Sequence, residues 1–241
     1  YSVQKKLHLL NMPNIAIRSQ ASGEIDYYEL DPPLSINRQM PELLLANIGT
    51  TMTEARDDVG NMKAIFKDLA IQHHYIHVDG ALAGSYAAFI EPRPAFDFAD
   101  GADSIAISGH KFFGSPIPCG MVIAKKNHRD RIARSIDYIG SLDTTISGSR
   151  NGLTPLFLWY TISKLGTEGL RQRTKDCLDV ADYAEAMLKP VEPLVWRNPS
   201  ALTVNLPKPD VELVKKWQLA SGRGWAHIIC MPGMSKDQID A

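Results

Sequence analysis

Asp79 and Lys111 are the two residues of this sequence best placed to do chemistry together. Asp79 closes a short apolar run, Tyr75-Ile76-His77-Val78. Lys111 follows another, Ser104-Ile105-Ala106-Ile107, and lies 32 residues after the acid. Short apolar runs of this kind read as strands, and the spacing leaves room for one connection between them. In open α/β sheets the carboxyl ends of the strands form the ligand crevice. The pattern therefore sets a carboxylate and an amine at the mouth of one crevice. Around the lysine stand Ser108, Gly109, His110 and Gly114, hydrogen-bond donors on a backbone that glycine lets turn closely.

One cofactor uses all of these groups. Pyridoxal phosphate needs a lysine amine to hold its aldehyde carbon and an acid to keep its ring nitrogen protonated. Lys111 would be the amine, acting as a nucleophile, and Asp79 the partner of the pyridinium. Ala81 would lay a methyl group against the ring face. Ser108 and His110 would donate to the phosphate. Thr50, in the turn Gly49-Thr50-Thr51 after the apolar run 43–48, could reach the cofactor through its hydroxyl. Taken singly, a loop lysine is commonly solvated and an acid after a strand commonly caps a helix; the conjunction carries the assignment. His73, His74 and His77 do not make a metal site, because His77 lies on a strand and no HExxH motif is present.

Four segments, in order, resemble the group II pyridoxal-phosphate-dependent amino-acid decarboxylases. Ser-Gly-His-Lys-Phe-Phe-Gly-Ser-Pro-Ile-Pro-Cys-Gly (108–120) looks like the family's lysine motif. His77-Val78-Asp79-Gly80-Ala81 resembles its His-x-Asp-x-Ala motif. Asn47 to Thr51 with Asp57-Asp58 resembles its Gly-Thr-Thr segment, and 139–152 a segment typical of the histidine/serine branch. The resemblance covers nearly the whole chain. It implies a fold-type-I pyridoxal-phosphate fold: a mainly parallel sheet with helices on both faces, plus a small C-terminal α/β domain. It implies decarboxylation of an L-amino acid to its amine, histidine to histamine first and serine next. It also implies a homodimer with the site at the interface, and further chain before Tyr1 carrying a histidine that stacks on the cofactor ring. The alternatives are another carbon–carbon lyase or an aromatic amino-acid decarboxylase using the same cofactor, and a non-catalytic fragment that acts as a dimerisation partner.

Composition narrows the partners. The chain has 241 residues, 44% hydrophobic and 22% charged, with a net charge of −1. That balance gives no electrostatic reason for nucleic acid or an acidic membrane, and no apolar run approaches the ~20 residues of a membrane span. The three cysteines, Cys119, Cys177 and Cys230, are odd in number and lack metal spacing. Reduced thiols in a cytoplasmic protein are the expectation.

The elements that must position the site follow from periodicity. Residues 2–11 predict an amphipathic helix and 15–18 a short strand. Asp26 should cap a helix cut short by Pro32-Pro33. Residues 43–48 predict a buried parallel strand, joined to 75–78 by a helix whose apolar face is Met62, Ile65, Phe66 and Leu69 and whose cap is Asp57 or Asp58. Strands at 103–107 and 120–124 enclose the lysine loop. Residues 127–136 predict a polar helix and 140–152 a loop. There Arg150 could face a phosphate or carboxylate, cap a helix, or form a surface ion pair. Thr154-Pro155 opens a helix, apolar almost all round and so expected to be buried, followed by a helix over 168–188. The large domain is expected over 1–165 and the linking helix with the small domain over 166–241. The small domain predicts strands at 194–197, 201–206 and 225–231 and a helix at 210–220, with Trp196 and Trp217 in its core.

Overall fold

The computed structural model describes residues 2–136, 140–145 and 148–241. Helices α1 (Ser2–Leu9) and α2 (Asp31–Asn37) precede the sheet. The strand expected at 15–18 does not form; only an isolated bridge, Ser19 to Ile25, pairs there. Asp26 caps a single 3-10 turn, Tyr27–Glu29. Pro32 and Pro33 lie in the first turn of α2, where missing N–H groups leave no helical bond broken. They open this helix and do not interrupt it.

The main sheet runs β1 (Glu42–Asn47), β2 (His74–Asp79), β3 (Ser104–Ser108) and β4 (Gly120–Ala124), in that order. The first three are parallel and β4 is antiparallel to β3. β1 is an edge of the described sheet, with Leu43 51% exposed, so the fully buried strand expected there is only half covered. Between β1 and β2 runs α3 (Val59–Asp68). Asp58 starts it by accepting a hydrogen bond from the Asn61 N–H at 2.9 Å, one of the first-turn donors that the helix itself leaves unpaired. Val59, Met62 and Phe66 form its buried stripe. Asp57 turns inward and accepts from the Asn47 and Ile25 N–H groups at 2.7 and 2.8 Å. The connection from β2 to β3 is made of short 3-10 turns, Ala83–Ser85 and Ala87–Phe89.

Beyond the sheet, α4 (Lys126–Ile132) is shorter than expected, because Arg134–Ile136 forms β5, paired antiparallel with β6 (Ser141–Asp143). The segment expected as loop therefore begins as a strand; its residues 146–147, and residue 139 before it, lie outside the described residues. The two expected helices form one element, α5 (Leu153–Leu188), kinked at Gly166, whose φ of 58° and ψ of −171° are not helical. Its first half is not buried. Leu158 is covered, but Leu156, Trp159 and Tyr160 are 52%, 65% and 58% exposed. A helix that is apolar all round has more apolar surface than one neighbouring layer can cover.

The rest of the chain packs on the second half of α5. A three-stranded antiparallel sheet has β9 (Trp225–Ile229) between β7 (Thr203–Pro207) and β8 (Ala220–Gly222), with α6 (Val211–Trp217) and α7 (Lys236–Asp240) around it. The strand expected at 194–197 is a lone bridge, Trp196 to Asn205. Trp196 packs edge-on against Trp225, whereas Trp217 is exposed beside Lys216. Two apolar clusters result. The first joins the main sheet, α3 and the α5 residues Leu158, Leu170 and Cys177; the second joins Ala181 and Ala184 to Val195, Val204, Leu206 and Ala226. Along α5 the packing changes partner beyond the Gly166 kink, between Cys177 and Ala181.

Candidate cofactor site

Asp79 is the last residue of β2, opposite Asn47 on β1 and Ala106 on β3. It is half-buried, and its Oδ1 accepts from the Ala81 N–H at 3.1 Å, which closes the turn back on the carboxylate. That turn is stitched to the neighbouring strand. The Gly80 N–H donates to the Ala106 carbonyl at 2.9 Å and the Ser108 N–H to the Ala81 carbonyl at 3.2 Å. Asp79, Ala81 and Ser108 therefore sit together at the C-terminal ends of adjacent parallel strands, the crevice position of an open α/β sheet.

The lysine loop leaves β3 directly. Gly109 is held at both ends of its peptide, donating to the Cys119 carbonyl at 3.0 Å and accepting from the Ser115 N–H at 3.0 Å. His110 Nδ1 lies 3.1 Å from the Cys119 N and 3.0 Å from its carbonyl oxygen. When the Cys119 N–H donates to Nδ1, the ring proton is on Nε2, the nitrogen left to face an anion. Cys119 is thus a packing residue of this loop, and it lies against Gly109. Gly114 completes the loop with φ of +74°, a conformation that favours glycine, and its N–H donates to the Lys111 carbonyl. Phe112 and Phe113 are buried and anchor the loop in the core. Lys111 itself is exposed and enters no ion pair among the described residues.

Thr50 lies in the adjacent turn. Its hydroxyl accepts from the Ala55 N–H at 2.9 Å and is 3.0 Å from the Thr53 hydroxyl, so it is engaged in closing the turn. That turn packs on the one after β2, since a Cβ on Gly49 would lie 3.1 Å from Ala83. His77 is a packed strand residue, its Nδ1 2.6 Å from the Ser104 hydroxyl, and burial lowers its pKa despite Asp79 nearby. No metal-binding cluster of His, Cys, Asp and Glu occurs among the described residues. Arg150 bonds locally to Thr145 and to the Gly148 carbonyl. Sequence patterns gave no sign of Glu54 and Tyr86, a buried pair beneath the site; the partners that bury Glu54 lie about 150 positions away in sequence.

The donor set fits pyridoxal phosphate. A carboxylate at the end of β2 and an amine in the loop that leaves β3, neither paired with an opposite charge among the described residues, are accompanied by the Ser108 hydroxyl and the His110 imidazole at the start of that loop. This fold is that of a pyridoxal-phosphate enzyme, and this pair is its candidate cofactor site. The chain belongs to the pyridoxal-dependent decarboxylase family, whose conserved domain matches residues 2–195. It is 48% identical over its whole length to a histidine decarboxylase of Mesorhizobium japonicum and 42% identical to one of Vibrio campbellii, and it spans 65% and 63% of those relatives' lengths. The solved L-methionine decarboxylase of Streptomyces sp. 590 superposes with a TM-score of 0.86 at 27% identity, over all of this chain and 67% of that one.

Proposed function

We propose that the protein carrying this chain decarboxylates L-histidine to histamine with pyridoxal phosphate. The observation that carries the proposal is the placement of Asp79 at the end of β2 and of Lys111 in the loop that leaves the adjacent parallel strand β3, neither in an ion pair among the described residues. When bound, the cofactor supplies an aldehyde for the substrate amine and a ring that accepts the electron pair left as carbon dioxide departs. Lys111 would hold the cofactor through its side-chain amine. Asp79 accepts a hydrogen bond from the ring N–H and keeps that proton in place. Ala81 covers one ring face, Ser108 and the His110 Nε2–H bind the phosphate, and Thr50 supports the set from the neighbouring turn. Histidine is favoured over serine or methionine because the relatives at 48% and 42% identity are named histidine decarboxylases, whereas the methionine enzyme is 27% identical.

The exposed apolar face of α5, with Leu156, Trp159 and Tyr160, supports a homodimer. Three free cysteines support a cytoplasmic location. The test is borohydride reduction of the whole protein with pyridoxal phosphate, followed by peptide mapping and a carbon dioxide assay with carboxyl-labelled amino acids. The expected result is a label on Lys111, lost in Lys111→Ala, with carbon dioxide and histamine from L-histidine. A label scattered over surface lysines, or release from serine in preference to histidine, would overturn the assignment.

A further inference from the structure

Glu54 is fully buried and has φ of +53°, a backbone state that costs a non-glycine residue free energy and persists where the surroundings over-determine it. Its carboxylate binds in two directions. Toward the C-terminal sheet it accepts from the Leu202 N–H at 3.0 and 2.8 Å and from the Thr203 hydroxyl at 2.7 Å. It also pairs with Arg56 at 3.1 Å, whose other bonds go to the carbonyls of Pro199 and Ser200. Toward the cofactor site it accepts from the Tyr86 hydroxyl. Tyr86 is fully buried and stands between the two 3-10 turns that follow Asp79-Gly80-Ala81. Its ring packs on Phe112, with centroids 5.1 Å apart. Phe112 is also fully buried and immediately follows Lys111. One carboxylate thus holds one hydroxyl, and the ring below it braces both the segment after the acid and the residue after the lysine.

We infer that Glu54 is a positioning residue for the cofactor site, fixing Asp79 and Lys111 relative to one another through Tyr86 and Phe112. The inference rests on the assignment of those two residues to the cofactor. It goes beyond a clamp between two halves of the chain, because the bonds from Glu54 to Leu202 and Thr203 would serve a clamp without Tyr86.

The experiment compares Glu54→Gln, Tyr86→Phe, the double variant and Thr203→Val in the whole protein. Tyr86→Phe removes only the hydroxyl and keeps the ring, so it carries the test if Glu54→Gln does not fold. Hydrogen exchange is followed in residues 81–90 and 109–115 of the cofactor-free protein. Cofactor affinity is read from the visible absorption of pyridoxal phosphate held by Lys111. Glu54→Gln and Tyr86→Phe should each speed exchange in both segments and raise the cofactor Kd roughly tenfold, about 1.4 kcal/mol. The double variant should be little worse than either, because both break one link. Thr203→Val should lower Tm with neither effect. If Glu54→Gln and Tyr86→Phe behave as Thr203→Val does, with Tm lowered and exchange and affinity unmoved, the inference is overturned. The exchange measurement needs no cofactor: a parent protein that took up none would sink the proposed function and leave exchange to decide this inference.

Discussion

Replacing Gly109 by alanine tests how tightly the lysine loop is built. A methyl group at that position would lie 2.6 Å from the Cys119 Sγ and 2.7 Å from the Leu158 Cδ2, both inside van der Waals contact. The backbone cannot swing away freely, because the Gly109 N–H and carbonyl are bonded to Cys119 and Ser115. Leu158 is buried and can yield only by turning within the core. Overpacking of this kind costs about 1–3 kcal/mol. For a chain of this size, about 2 kcal/mol corresponds to a fall in Tm on the order of 4–8 °C. The displaced loop carries Lys111, so the Gly109→Ala protein should also bind pyridoxal phosphate more weakly. Differential scanning fluorimetry with and without the cofactor reads both effects. Cys119→Ala removes the nearer of the two obstacles, so the Gly109→Ala/Cys119→Ala protein should recover part of the lost Tm. Leu158 remains in the way, and recovery should be incomplete. A Gly109→Ala protein melting within about 1 °C of the parent, or a double variant that merely adds the two single losses, would refute the packing argument.

Two further outcomes follow from burial and exposure. Burial lowers the pKa of both His77 and His227, so the unfolded chain takes up a proton more readily than the folded one, and stability should fall as pH drops below the ordinary histidine value of 6.5. Asp57 opposes this at more acid pH, since burial raises its carboxyl pKa; urea midpoints at about pH 7.5 and about pH 5.5 keep to the histidine window, and His227→Gln should shrink the difference between them. An unchanged difference in that variant would show that His227 does not titrate with unfolding. On the apolar face of α5, Trp159→Asp should shift the whole protein from dimer to monomer in sedimentation velocity, and a variant that sediments with the parent would remove this face from the interface.

Much of the scaffold was legible because its signals are local. The apolar run ending in Asp79, the Asp58 cap and the Met62/Phe66 stripe each fall within one element, and each forms as the spacing predicts. The errors fall where local pattern does not fix the neighbours. Leu43 to Ile48 reads as buried on both faces, but exposure depends on which strands lie beside it, and β1 is an edge of the described sheet. The first half of α5 reads as buried for the same reason. Ile15 to Arg18 has strand composition, but among the described residues the bridge there is formed by Ser19, just beyond it, and a strand exists only as a pair. Pro32-Pro33 reads as a break, and becomes a helix start because the turn before it supplies the entry.

The site divides along the same line. Asp79, Ala81, Ser108, His110 and Lys111, the residues we propose hold the cofactor, could be picked out because a bound ligand would demand particular groups in short order near strand ends, a pattern carried by two short segments. Glu54 left no such trace. Its neighbours in sequence, Thr53 and Ala55, carry no chemical signal, and its bonding partners Tyr86, Leu202 and Thr203 come 32 to 149 residues later. A group that touches a ligand must match the ligand, so its type is constrained wherever it stands. A group that holds such residues in place must match only its packing partners, and those are known once the chain has folded. The left-handed backbone of Glu54 is the sign that folding provides: a buried acid is kept in an unfavourable conformation by more bonds than its own turn could supply.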